Sequence, residues 1–179
     1  MRSNGVSGAA LAMMAVWPLV GKCATVPFRY QEVAEKYSLP SALVYAIATV
    51  ESHKIHNGYR APWPWTLNIE GKPYFYKTRA QAEHGLQRYL NTGKQSVAVG
   101  PMQVYWRWHK QKFMSPEHAL DPEKNLDTGA SILRECYEKR QSWEKAVHCY
   151  YGSRIQRENV QYARDVLREF LHIQRDDRL

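Results

Sequence analysis

Cysteine and long apolar runs are scarce in this chain of 179 residues. It has three cysteines, and neither their number nor their spacing suggests a zinc site. No repeat or low-complexity segment is present. Beyond the N-terminus, no segment is long and apolar enough to cross a bilayer. The length and the ordinary hydrophobic content of 44% predict one domain with a real core.

Acidic residues are also in the minority. The chain has 17 Asp and Glu against 25 Lys and Arg, a formal net charge of +8. A basic surface suits nucleic acid, an anionic membrane or an acidic polymer, and charge alone does not choose among them. Aromatic residues are abundant by contrast, with 12 Tyr and 6 Trp.

The N-terminus has the pattern of an export signal. Arg2 gives a positive start, residues 8–20 are apolar, and small residues follow before the polar chain begins. We therefore expect a signal peptide over residues 1–24 and a periplasmic domain over residues 25–179. A signal anchor is the alternative. After cleavage, no stable membrane span is expected.

Export changes the meaning of the cysteines. If Cys23 leaves with the signal, Cys136 and Cys149 remain as an even pair in an oxidising compartment. They lie on two predicted helices joined by a tight turn, so we predict a disulfide between them. Two buried free thiols are the alternative.

The periodicity of apolar residues predicts a mainly α domain, of the α+β type, with a small aromatic β-hairpin inserted. Trp63, Trp65 and Tyr74 fall where the helical period vanishes, and residues 70–73 read as a turn between short β-like runs. Helices are predicted at about residues 30–37, 41–51, 79–90, 121–139, 143–150 and 160–172.

Glu51 ends an otherwise apolar helix. On a 3.6-residue period it shares a face with Val44 and Ile47, at the negative end of the helix dipole. Burial and the dipole both disfavour the charged form and are expected to raise its pKa. A carboxyl group that stays protonated near neutral pH suits general acid catalysis of glycosidic bond cleavage. The alternative is a solvated carboxylate at the rim of the domain.

Four short elements follow one another along the chain. They are Glu51-Ser52, Gly100-Pro101-Met102-Gln103, Asn125-Leu126 with Gly129-Ala130, and Cys149-Tyr150-Tyr151. In this order the chain resembles, over residues 30–170, the catalytic domain of soluble lytic transglycosylases in the lysozyme-like superfamily. The aromatic insert and the cysteine pair look most like members encoded with conjugation or type IV secretion systems.

The resemblance implies a reaction on peptidoglycan glycan strands that needs no cofactor or metal. Glu51 would protonate the oxygen between N-acetylmuramic acid and N-acetylglucosamine and then act as a base. The 6-hydroxyl of the same sugar would attack C1 and give a 1,6-anhydro product. A secretion or conjugation complex would be the partner, and no nucleic acid is expected to bind.

The resemblance also implies substrate contacts. Gln103, Met102 and Tyr150 would line the saccharide site, with core packing the alternative for Met102 and a backbone hydrogen bond the alternative for Tyr150. Ser52 is included as a contact, although holding a helix end suits it better. Trp65, like Trp63 and Tyr74, would stack on sugar rings. A satellite aromatic core is the alternative for these three.

Three positions depart from the family pattern. Pro101 replaces a usual Leu, Tyr151 replaces a usual Asn, and His53 follows Glu51-Ser52 where an aromatic residue is common. Tyr151 puts one hydrogen bond to substrate in doubt. Glu70 would be the partner acid if the enzyme were a hydrolase, and a surface turn is the alternative.

Other functions compete with the transglycosylase. They are a muramidase, a non-catalytic peptidoglycan-binding module, and a basic nucleic-acid-binding protein of a DNA-transfer system. The signal-like N-terminus argues against the nucleic-acid-binding protein. An acid on an apolar face argues against the non-catalytic module. His53 and His56 are interpreted as solvated loop residues and not as metal ligands.

Overall fold

The computed structural model describes residues 26–56, 59–153 and 155–176. The predicted signal peptide lies outside the described residues. Eight α-helices are described: α1 Phe28–Lys36, α2 Ser41–Ser52, α3 Arg79–Leu90, α4 Trp106–His109, α5 Pro116–Ala119, α6 Pro122–Arg140, α7 Trp143–Tyr151 and α8 Gln156–Asp176. Six strands are described: β1 His53–His56, β2 Tyr59–Pro62, β3 Thr66–Ile69, β4 Lys72–Phe75, β5 Val97–Val99 and β6 Val104–Tyr105.

Helix α2 runs through the middle of the core. Its residues from Ala42 to Thr49 are all buried, because this stretch is apolar on every side. It packs against α1 and α8, while α6 packs against α1 and α7. The mainly α architecture predicted from the sequence, with a small β-hairpin, is confirmed.

Side-chain caps begin three of the other helices. Thr78 accepts a hydrogen bond from the Gln81 backbone N–H, and Ser115 accepts one from His118. Asp121 accepts from the backbone N–H groups of the residues at positions 123 and 124. Such caps satisfy donors that have no partner within the helix, so they fix where each helix starts.

The strands form two antiparallel sheets. The predicted hairpin is β3–β4, with Glu70 and Gly71 at its turn, and β5 and β6 extend it to a sheet of order β4-β3-β5-β6. A second hairpin, β1–β2, follows α2 directly and was not predicted. Its residues 53–62 lack the alternation of polar and apolar residues that marks a half-buried strand.

Helices α6 and α7 meet at a tight corner. Gln141 ends α6 in the left-handed region at a φ of 51°, and the rings of Tyr137 and Trp143 stack across the corner at 3.8 Å. The predicted disulfide between Cys136 and Cys149 is present, with 5.7 Å between the two Cα atoms. It joins the last turns of both helices.

Within the described part of the chain, no helix combines the length and the apolar character that a bilayer span requires.

Candidate active site

Glu51 lies in the last turn of α2 and is partly buried. The Tyr162 hydroxyl, carried by α8, donates a hydrogen bond to Glu51 Oε1 at 2.7 Å. Tyr162 is held there because it lies on the buried face of α8 with Val166 and Ile173. Among the described residues no other side chain donates to either Glu51 oxygen, so Oε2 is left for a ligand.

The electrostatics of Glu51 suit an acid. Burial raises the pKa of its carboxyl to about 7, and the Tyr162 hydrogen bond opposes this by stabilising the ionised form. The raised pKa predicted from the sequence is confirmed. Because Oε1 accepts from Tyr162, the proton of the neutral acid belongs on Oε2. A group with a pKa near 7 can both give and take a proton at neutral pH.

Three tyrosines surround this carboxyl. Burial, together with the charge of Glu51, raises the pKa of Tyr150 and of Tyr162 well above the usual value, so both stay neutral donors. The ring of Tyr151 stacks on that of Tyr162 at 4.4 Å, with 13° between the planes. Tyr151 is 41% exposed, so its other surroundings are open to solvent.

The segment Gly100-Pro101-Met102-Gln103, which we call the 100–103 loop, is locked onto the start of α6. Asn125 is fully buried; its Oδ1 accepts from the Met102 backbone N–H at 2.9 Å, and its Nδ2 donates to Val99 O at 2.8 Å. A Cβ at Gly100, where φ is +76°, would lie 2.5 Å from the Asn125 side chain. Glycine is therefore required here for both conformation and space.

Two further contacts fix the same loop. The Ser52 hydroxyl lies 2.9 Å from Pro101 O, and the Tyr150 hydroxyl donates to Met102 O at 2.7 Å. The Met102 side chain packs against Gly129, where a Cβ would approach within 2.6 Å of it. The four sequence elements thus converge on the 100–103 loop beside Glu51.

Glu51 lines a cleft of about 670 Å³. Gln103 and Tyr150 line it, and Tyr151 lies on the same side as Tyr150. Gln103 has a φ of +45°, and its Nε2 donates to Gly100 O at 2.8 Å and to Thr66 O at 3.3 Å. With its donors directed at the backbone, Gln103 can offer its amide oxygen to a ligand.

The comparison with protein families agrees with this geometry. The family model of the transglycosylase SLT domain matches residues 29–169. The chain belongs to the SLT domain family. It is an enzyme, a lytic transglycosylase that acts on peptidoglycan, and it therefore works outside the cytoplasm. Comparisons with curated proteins and with solved structures gave no significant match.

In this SLT domain, Met102 and Ser52 lie beneath the cleft and do not line it. Both are 0% exposed. Met102 fills the space over Gly129, and the Ser52 hydroxyl lies between two backbone carbonyls, as in the packing alternatives given for both residues. Their direct contacts with substrate stay predictions. Both residues position the 100–103 loop. Tyr150 lines the cleft, but its hydroxyl is engaged with that loop and not with Glu51.

The aromatic residues of the SLT domain insert also lie apart from the cleft. Trp63 and Trp65 pack edge to face at 5.6 Å, and Trp63 Nε1 donates to Tyr76 O at 2.7 Å. Neither tryptophan, nor Tyr74, is among the residues that line the cleft. The sugar contact expected of Trp65 stays a prediction, and this cleft does not support it. Trp65 packs against the main hydrophobic core and pairs with Trp63, whereas Tyr74 is exposed.

The acid suggested as a hydrolase partner is at the surface. Glu70 occupies the β3–β4 turn at a φ of 51°, and Lys94 lies 3.0 Å from its carboxylate. It does not line the cleft. The surface-turn alternative is the one that the structure supports.

Tyr162 is the site residue that the sequence analysis missed. It is separated from Glu51 by 111 positions, and the sequence analysis predicted only a helix over residues 160–172 there. The sequence feature that could have indicated Tyr162 is its position in the apolar stripe of α8 with Val166 and Ile173. A hydroxyl on a buried face needs a hydrogen-bond partner, and that partner is the Glu51 carboxyl.

No group of three or more His, Cys, Asp or Glu side chains arranged to hold a metal ion is found among the described residues.

Proposed function

We propose that Glu51 cleaves the β-1,4 bond between N-acetylmuramic acid and N-acetylglucosamine by acting first as acid and then as base. The proton on Oε2 passes to the linking oxygen as the bond from C1 to that oxygen breaks. The 6-hydroxyl of the muramic acid attacks C1, and the ionised Glu51 takes the hydroxyl proton. The products are a 1,6-anhydro end and a free N-acetylglucosamine 4-hydroxyl.

The observation that carries this proposal is the state of the carboxyl groups in the cleft. Glu51 has a pKa of about 7 and a free Oε2. Glu135 also lines the cleft, but Lys112 lies 2.6 Å from it and holds its pKa below the usual value. Glycosidases that use water flank the bond with two working carboxyl groups. One cycling carboxyl suits attack by the sugar's own hydroxyl.

Gln103 would hold the saccharide in this reaction. Its backbone sits in the left-handed region, and its side chain is anchored to Gly100 O and Thr66 O. An amide fixed in this way keeps a hydrogen-bonding group at a constant place beside Glu51. Positioning of this kind contributes to catalysis because the substrate no longer has to be oriented during the reaction.

The cellular role that we propose is local opening of the cell wall in the periplasm while a secretion or conjugation machine is assembled. The resemblance of the aromatic insert and the cysteine pair to enzymes encoded with such systems supports it. A disulfide within the site is consistent with an oxidising compartment. A fusion of the chain to alkaline phosphatase, which is active only after export, should give phosphatase activity.

The decisive experiment digests purified sacculi with the enzyme and weighs the released muropeptides by mass spectrometry. Anhydro-ended products are expected. Glu51→Gln should lower their release by about 10²- to 10⁴-fold, because the amide cannot transfer the proton. It should still fold, since the amide oxygen can accept the Tyr162 hydrogen bond. Glu35→Gln, at an exposed carboxylate on α1, is the matched control.

Other products would point elsewhere. Hydrated reducing ends would indicate a muramidase, and Glu135→Gln would then identify the second carboxyl group. Binding to sacculi without release would indicate a non-catalytic module. Salt-dependent retention on DNA, with no effect on sacculi, would indicate a nucleic-acid-binding protein. Full activity of Glu51→Gln would overturn the mechanism.

A further inference from the structure

The cleft wall carries a lysine, Lys139, that lowers the pKa of Glu135 through its charge but forms no close ion pair in the described part of the chain. Helix α6 contributes Ile132, Glu135, Cys136 and Lys139 to the cleft wall. Glu135 forms an ion pair with Lys112 at 2.6 Å and accepts a hydrogen bond from the Ser131 hydroxyl. Lys139 follows one turn later, is exposed, and forms no ion pair within 4 Å in the described residues. It can therefore accept an anion from a ligand without breaking an existing pair.

An exposed indole lines the same cleft. Trp108 is 62% exposed, stands on α4, and lines the cleft together with the α6 face. The guanidinium of Arg107 lies 5.9 Å from its ring centre, and the Tyr105 ring lies beside it at 6.4 Å. A large aromatic side chain left in solvent within a cleft is typical of a ligand-binding surface. Its flat face suits the C–H face of a sugar ring.

These two residues are continuous with the catalytic centre. The disulfide at Cys136 places Cys149, and with it Tyr150, against the middle of the α6 face. Lys139 lies three positions beyond Cys136 on that face. The face from Ile132 to Lys139 extends by roughly 10 Å along the helix. A glycan held at Glu51 can thus continue along α6 to Lys139 and Trp108.

We propose that Trp108 and Lys139 form a subsite for a peptide-bearing sugar near the bond that is cleaved. Trp108 packs against the sugar ring, and the Lys139 ammonium pairs with a carboxylate of the peptide stem. The subsite makes the enzyme prefer glycan with stems over bare glycan. This inference rests on the proposed function at Glu51, because it assumes a glycan in the cleft.

The test compares two substrates made from one batch of sacculi: glycan that retains its stems, and glycan from which an amidase has removed them. Initial rates of anhydro-product release are measured for Lys139→Gln, Lys139→Glu and Trp108→Ala. Lys124→Gln is the matched control, since Lys124 is exposed at the other end of α6 and does not line the cleft. Melting temperatures confirm that each variant is folded.

The expected result is a change in KM that depends on the substrate. Lys139→Gln should raise KM for stem-bearing glycan about 3-fold, with kcat retained, as for loss of an exposed ion pair. Lys139→Glu should raise it further, because like charges repel. At about 1 M salt, where screening reaches about 3 Å, the effect should disappear. Trp108→Ala should raise KM about tenfold on both substrates.

Two outcomes would overturn the subsite. One is an unchanged KM for Lys139→Glu on stem-bearing glycan, and the other is an equal rise on both substrates. Failure of the wild-type enzyme to release any anhydro product would instead overturn the proposed function. The two failures are therefore distinguishable.

Discussion

The molecule contains two groups of aromatic residues that behave differently. Around Glu51, the hydroxyls of Tyr150 and Tyr162 hydrogen-bond to the 100–103 loop and to the acid. In the insert, Trp63 and Trp65 pack against each other, Trp63 Nε1 donates to a backbone carbonyl, and Trp65 Nε1 has no partner among the described residues. Aromatic content alone therefore does not locate a sugar site.

The difference lies in what the aromatic rings are attached to. The tyrosines are carried by α7 and α8, which pack against each other and, through α8, against the helix that carries the acid. The insert residues cover the edge of the small sheet. Polar contacts to the Glu51 carboxyl and to the 100–103 loop distinguish the first group from the second. Substitutions can test this contrast.

The largest effect is expected from Asn125→Ala. It removes the acceptor for the Met102 N–H and the donor for Val99 O and Ala119 O, all in the buried core. Unpaired buried groups should lower the free energy of unfolding by about 3 kcal/mol. Activity should fall as well, because Gln103 loses its support. Urea unfolding and sacculus digestion measure both.

The matched control for that variant is Asn91→Ala, at an exposed residue that ends α3. It should change neither the free energy of unfolding nor the activity on sacculi. Wild-type activity and stability in Asn125→Ala would show that the loop does not depend on α6.

The next effect concerns the disulfide, which belongs to the active-site half of the molecule. Replacing Cys136 and Cys149 by serine should lower the free energy of unfolding by about 3 kcal/mol, since the closed loop is short. Reductant should lower the melting temperature of the wild type and leave the double variant unchanged. Equal melting temperatures for wild type and variant would contradict this.

A smaller effect is expected from Tyr162→Phe. Without this hydroxyl the ionised Glu51 loses its hydrogen bond, so its pKa should rise above about 7. Activity that needs the protonated acid falls as the pH passes that pKa, so the alkaline limb of the pH profile should move to higher pH. Tyr37→Phe, whose hydroxyl contacts Asp127 at the surface, should leave the profile in place.

The smallest effect is expected in the insert. Tyr74→Ala should change KM on sacculi less than about twofold, because an exposed side chain outside the cleft contributes little. The Trp108→Ala variant gives the contrasting measurement within the cleft. A KM for Tyr74→Ala raised as much as that for Trp108→Ala would restore the insert as a sugar-binding surface.

Local features of the fold were predictable from the sequence. Caps at Thr78 and Asp121 and the periodicity of α6 depend on residues close in the chain, so they can be read directly. The acid and its raised pKa were predictable for the same reason, since Val44 and Ile47 lie on its own helix.

Features that depend on distant contacts were not predictable. The hydrogen bond from Tyr162 joins helices that are far apart in sequence, and the burial of Met102 depends on the close approach of Gly129. The β1–β2 hairpin has no alternating pattern of its own. The four motif elements were found in the correct order, but whether each touches substrate or supports the loop depends on three-dimensional packing.

The raised pKa of Glu51 also has a consequence for the free energy of unfolding. In an unfolded chain this carboxyl ionises near its ordinary pKa of 4.5, whereas in the fold it does so near 7. Between these values the unfolded chain loses its proton first, so alkalinisation progressively favours unfolding. Each pKa unit corresponds to about 1.4 kcal/mol, and the full loss above neutrality is about 3 kcal/mol. The burial that raises the pKa of the Glu51 carboxyl thus lowers the stability of the fold in alkaline surroundings.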